Sequence, residues 1–168
     1  MQTHRIIRIT KSFSFEMAHV LTCYDGDCCN LHGHSYKLHV TLRGLTRQEP
    51  GHPKDGMLLD FGDLKKLVQA SVLDTFDHAL AISELEDPEM VCRLRWHYQK
   101  VAVLPFQPTC ENLLLFFVEK IQERLPGEVE LFSVKLEETA TSFAEWCCLD
   151  FQNFKAYPGS VSHQVEED

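Results

Sequence analysis

The chain has no run of about 18 apolar residues, so no membrane-spanning helix is expected and a membrane is not a predicted partner. It is also short of positive charge. Lys and Arg number 16 against 25 Asp and Glu in 168 residues, a formal net charge of −9. Binding a phosphate backbone needs basic surface, so this balance argues against nucleic acid as the main partner. A phosphorylated small molecule stays open, because it needs only a local basic pocket. Residues 1–5 begin a polar/apolar alternation and are not expected to be a signal peptide. The seven cysteines are Cys23, Cys28, Cys29, Cys92, Cys110, Cys147 and Cys148. An odd number with two adjacent pairs fits reduced thiols in the cytoplasm and not a disulfide framework. Repeats are absent as well. The hydrophobic fraction of 44% and charged fraction of 24% are ordinary for a globular chain. Residues 1–157 are expected to form one domain with a real core, and the acidic segment 158–168 a flexible tail.

What is present is patterning. Ile7, Ile9, Phe13, Phe15 and Met17 fall on odd positions, and His19 continues that face. Side chains alternate across a strand, so residues 5–19 read as a long strand with one buried face. Residues 34–44 alternate again, with Tyr36, Leu38, Val40 and Leu42 on even positions and Lys37, His39, Thr41 and Arg43 opposite. His32 and His34 share the apolar parity. The loop 20–31 therefore joins two antiparallel strands.

Residues 46–56 are a turn-rich connector. Asp60 is an N-cap for a helix over 60–75, with Leu64, Leu67, Val68, Val72 and Phe76 at helical spacing. Residues 84–100 have mixed patterning and receive no assignment; Val101–Leu104 reads as a short strand. Thr109 caps a second helix carrying Leu113, Phe116, Phe117 and Ile121, which Pro126-Gly127 ends. Residues 129–138 and 143–152 are the last strands, the first with Phe132, Val134, Leu136 and Glu138 on one face. The order ββααββ predicts an α+β fold: a four-stranded antiparallel sheet with two helices on one face. Such an open sheet has two exposed edges, and edge-to-edge association into a closed barrel would remove them. A symmetric oligomer is therefore expected.

The chemistry concentrates in His19, Cys28 and His32-Gly33-His34. Buried imidazoles need hydrogen-bond partners or a metal. Three imidazoles with an open position are the ligand set of a catalytic zinc. Cys28 has three readings: a small buried hydrophobe, a fourth zinc ligand, or a thiolate base beside the cation. Cys23 and Cys29 compete with it. Asp77-His78 reads either as a histidine at a helix end or as a polarised proton-transfer pair. Glu138 has inward parity and needs a partner, such as a guanine-like or pterin ring offering two parallel N–H groups; Glu137 points outward. Glu111 lies in the first turn of the second helix, where a carboxylate suits the dipole.

Together these residues resemble one family. Phe15-x3-His19, Cys28-x3-His32-Gly33-His34, Asp77-His78, Pro108-Thr109-x-Glu111 and Glu138-Thr139 look like the 6-pyruvoyltetrahydropterin synthase / 6-carboxytetrahydropterin synthase family, over roughly residues 10–151. The resemblance implies the tunnelling fold, a homohexamer of two trimers, and active sites shared between subunits. It implies 7,8-dihydroneopterin triphosphate as substrate. Zn2+ would be held by His19, His32 and His34. Cys28 would abstract a proton, with Asp77 and His78 as the second catalytic pair. Glu138 would anchor the pterin, with Thr109 and Glu111 completing the substrate-binding set. Two products divide the family. Ser35, where biopterin-pathway enzymes tend to carry Asn, favours the 6-carboxytetrahydropterin synthase of queuosine biosynthesis, which releases acetaldehyde and triphosphate. The alternative is 6-pyruvoyltetrahydropterin synthase; a third reading is a non-catalytic pterin- or purine-binding zinc protein.

Overall fold

A computed structural model describes residues 5–150. The tail at 158–168 and the end of the expected last strand, from residue 151, lie outside the described residues. Strand β1 (Ile7–His19) turns through a short 3-10 segment at Asp27–Cys29 into β2 (His32–Gly44). The two pair antiparallel along their whole length, from Ile7 opposite Gly44 to His19 opposite His32.

The expected first helix begins as placed. Asp60 accepts from Gly62 N at 2.6 Å and starts α1 (Phe61–Val68). The chain then widens into a π turn at Gln69–Leu73 and closes with one turn, α2 (Asp74–Phe76). Next come β3 (Ala79–Ser83), α3 (Pro88–His97) and β4 (Val101–Leu104). Thr109 caps α4 (Cys110–Gln122), which ends short of Pro126-Gly127. The last strands are β5 (Glu130–Glu137) and β6 (Phe143–Cys147).

The α+β class and the ββααββ frame are present, but the sheet is wider than four strands and mixed. Its order is β4-β3-β1-β2-β5-β6. The contacts β1–β2, β2–β5 and β5–β6 are antiparallel, whereas β1–β3 and β3–β4 are parallel. β3 carries no alternation that would mark it, because all five of its residues are buried. The unassigned excursion at 84–100 holds α3, which starts at Asp87 with Pro88 in its first turn and buries no residue.

One face of the sheet carries the helices. Phe13, Phe15 and Met17 of β1, and Tyr36, Leu38, Val40 and Leu42 of β2, meet Leu64, Val68, Val72 and Phe76. Leu113, Phe117 and Ile121 of α4 complete this core. Phe117 is fully buried, its ring centroid 5.0 Å from Phe76 and 6.2 Å from Phe15. The parity expected along β5 fails at one end. A register shift sets Ser133 opposite Thr41 but Leu131 opposite Leu42, so Phe132 is the extra residue of a bulge. Leu131 therefore joins the core, and Phe132 turns to the open face under the Arg8 guanidinium, 3.6 Å from its ring centroid. Among the described residues no helix is long and apolar enough to cross a membrane.

Phe117 ties both strands' aromatic rows to the helix layer. Phe117→Ala should cost about 3–5 kcal/mol, the usual range for emptying an aromatic site in a packed core. The check is the midpoint of urea unfolding of purified wild type and variant; an unchanged midpoint would contradict this packing.

Candidate metal centre and proton-transfer dyad

The β1–β2 register builds the centre. His19 lies directly opposite His32, and His34 is opposite Met17, one pleat away. All three share the parity of the helix-covered face. Gly33 faces Ala18 between them; a Cβ there would come within 3.2 Å of the Met17 carbonyl. One ring nitrogen from each of His19, His32 and His34 lies within 4.8 Å of the others.

Two backbone carbonyls fix the rings. His19 Nδ1 is 2.8 Å from Pro108 O, and His32 Nδ1 is 2.7 Å from Asn30 O. A carbonyl oxygen only accepts, so each Nδ1 carries the proton. Burial holds the His19 imidazole below its usual pKa, with the neighbouring His32 adding to the effect against the Pro108 bond. With each Nδ1 engaged by a carbonyl, the two Nε2 atoms face each other across 3.0 Å. A Glu138 oxygen adds negative charge, 3.7 Å from His19 Nε2 and 4.0 Å from His34 Nε2. A cation placed among these atoms would satisfy all of them, so the donor set fits a metal ion.

Glu138 is where the inward parity puts it, and Tyr36 is the partner the sequence did not suggest. The Tyr36 hydroxyl donates to Glu138 Oε1 at 3.1 Å. Burial, then the charge of Glu138 and this hydrogen bond, push the phenol well above its usual pKa, so it stays a donor. Cys110 lies nearby but is buried, and its Sγ donates to Leu136 O at 3.4 Å. Burial first and Glu138 second raise this thiol to about 11, so it is inert as a base.

Of the three competing cysteines, Cys23 and Cys29 are exposed and Cys28 is partly buried. The Cys28 carbonyl accepts from Leu21 N at 3.0 Å, which ties its turn to the end of β1. Cys28 is not among the clustered donors, which are the three histidines. The segment before α4 contributes its backbone: Pro108 O holds His19, the Thr109 hydroxyl accepts from Asn112 N at 3.3 Å, and Glu111 is exposed in the helix's first turn.

Asp77 and His78 form the expected pair, with Asp77 Oδ1 2.8 Å from His78 Nδ1. This leaves His78 Nε2 free. The pair does not join the histidine cluster. His78 lines a groove of about 1020 Å³ with Glu16, Ala18, Gly33, Ser35 and Lys100. Glu16, Ala18, Gly33 and Ser35 have the parity opposite to the core, and Met17 and His34 line the groove as well. Glu16, Ser35 and Lys100 were not singled out as dyad neighbours, because the parallel β1–β3 contact that assembles them has no local sequence mark.

A family model described as 6-pyruvoyl tetrahydropterin synthase matches residues 8–147. The 6-carboxy-5,6,7,8-tetrahydropterin synthase of Haemophilus influenzae is 36% identical over 143 residues, 84% of this chain and 99% of that protein. The protein of the same name from Aquifex aeolicus is 36% identical over 129 residues, 71% of this chain and 75% of its own. Among solved structures, the Caenorhabditis elegans 6-pyruvoyl tetrahydropterin synthase aligns with a TM-score of 0.60 at 27% identity, covering 88% of this chain and 99% of that one. An uncharacterized protein from Wolinella succinogenes shares the fold, with a TM-score of 0.70 at 22% identity over 86% of this chain and 99% of its own.

Ligand and non-ligand roles separate by substitution. His32→Ala should lose bound metal by elemental analysis, because the two remaining histidines cannot close a site alone. Cys28→Ala should retain it in full. Metal loss in the cysteine variant would make Cys28 a ligand.

Proposed function

The chain belongs to the 6-pyruvoyl tetrahydropterin synthase family of lyases, and from that premise we propose that it is a zinc-dependent 6-carboxy-5,6,7,8-tetrahydropterin synthase of queuosine biosynthesis. Its substrate is 7,8-dihydroneopterin triphosphate, which with water yields 6-carboxytetrahydropterin, acetaldehyde and triphosphate. The observation that carries the reading is the convergence of ring nitrogens from His19, His32 and His34, with a partly buried Cys28 outside that set. The names of the relatives at 36% identity favour the carboxy product.

Bound zinc supplies a Lewis acid for the hydroxyls of the substrate side chain. The chain's own groups do the rest. Glu138, held by the Tyr36 hydroxyl, accepts the paired N–H groups of the pterin ring. Cys28 takes a proton from the side chain as a thiolate. His78 moves the second proton at Nε2, since Asp77 holds its Nδ1–H. Thr109 and Glu111, at the start of α4, are assigned to the substrate side as backbone and helix-end contacts.

Within one protomer the dyad does not join the histidine cluster. We assign each working site to two subunits of a homohexamer, with edge strands β4 and β6 closing the barrel. The reading also places the protein in the cytoplasm, where its thiols stay reduced.

The assay is incubation of pure protein with 7,8-dihydroneopterin triphosphate and mass spectrometry of the products. Acetaldehyde and the 6-carboxy pterin are expected; a pyruvoyl pterin without acetaldehyde would assign the chain to the other product class. Cys28→Ala and His78→Ala should each lower kcat by about 10²–10⁴, the usual contribution of a positioned acid or base. Mixed and reassembled, the two inactive variants should recover activity. Failure to complement would rule out a site shared between subunits.

A further inference from the structure

We infer that Lys100 is a positioning residue for the Asp77–His78 dyad, and that the excursion through α3 exists to deliver it. The inference rests on the reading of His78 as the second proton-transfer group.

His78 has φ of 59°, in the left-handed region that a residue with a side chain enters only when its surroundings impose it. Four hydrogen bonds impose it here. The His78 N–H donates to Glu16 O at 2.6 Å, and the Glu16 N–H donates to Asp77 Oδ1 at 3.1 Å. His78 Nδ1 donates to Asp77 Oδ1 at 2.8 Å. The Lys100 ammonium donates to the Asp77 carbonyl at 2.8 Å. The peptide between Asp77 and His78 is thus held at both ends, its N–H by β1 and its C=O by Lys100. Of the four bonds, only that of Lys100 comes from a side chain outside the dyad.

The route of the chain explains how Lys100 arrives. β3 and β4 run parallel, and parallel neighbours need a crossover instead of a hairpin. Leaving β3 at Ser83, the chain passes through α3 and returns at Lys100, whose carbonyl accepts from Leu80 N at 3.0 Å. That bond fixes the Lys100 backbone beside β3, and its side chain reaches back to the turn that β3 leaves. Asp77 is 39% exposed and His78 76% exposed, so neighbouring packing does not hold the dyad; these bonds do.

The test uses the full chain with Lys100→Met and Lys100→Arg. The first readouts are kcat, KM and metal content with 7,8-dihydroneopterin triphosphate. A second readout needs no turnover: carbethoxylation of His78 by diethyl pyrocarbonate, followed by peptide mass spectrometry across pH. Lys100→Met should lower kcat by about ten- to a hundredfold, the scale of an ångström-level misplacement, with KM and metal content kept. The pH midpoint of His78 modification should move. Lys100→Arg, which can still donate to the carbonyl, should restore both. Should the methionine variant not fold, Lys100→Gln takes its place. Unchanged kcat and an unchanged His78 midpoint would overturn the inference. So would a raised KM with kcat intact, which makes Lys100 a contact to substrate. If wild type turns over no pterin but the His78 midpoint still moves in Lys100→Met, the clamp stands and the functional reading falls.

Discussion

The antiparallel register that sets His19 opposite His32 is the constraint on which the rest of this molecule depends. Alternation along a strand has period two, so a slip of one residue would send the whole apolar row of β2 to the other face. Tyr36, Leu38, Val40 and Leu42 lock the register through burial, each with no exposed surface. The histidines at the end of both strands inherit that register without contributing much to it. A core built for packing thus aims three imidazoles at one point. At Gly33, opposite Ala18, the lack of a side chain lets the strands approach closely, since a Cβ there would come within 3.2 Å of the Met17 carbonyl.

Register alone leaves each ring free to choose a tautomer, and that choice is made by two carbonyls far apart in sequence. Asn30 O lies two residues from His32 and is a local consequence of the turn. Pro108 O lies 89 residues from His19 and depends on α4 docking against the sheet. Folding of the helix layer is therefore a condition for a competent ligand set. Proline suits this task, since its own backbone carries no N–H that would compete for the acceptors nearby.

The residues that were legible in the sequence are those whose signal is local. Parity along β1 and β2 identified the buried faces and the three histidines, and Asp60 and Thr109 marked two helix starts that the structure keeps. Phe132 was misread because a bulge is a property of two strands together, invisible in one. β3 was missed because burial on both faces erases alternation. α3 had its start signal in Asp87-Pro88, yet it buries no residue and so shows no apolar stripe. The Tyr36–Glu138 bond joins residues 102 apart and had no local trace.

The sheet also divides the chemistry. Its covered face holds three histidines that could hold a cation, and beside them the turn into β3 carries an Asp–His pair whose Nε2 has no partner among the described residues. The partition follows from parity: Glu16 N and O can reach Asp77 and His78 because β3 runs beside β1, while the adjacent Met17 and the nearby His19 point into the core. No rotamer change carries a side chain through a hydrogen-bonded sheet. Under the proposed function, a second copy would bring its dyad to the first copy's histidines, and β4 and β6 are the edges that the sheet presents among the described residues.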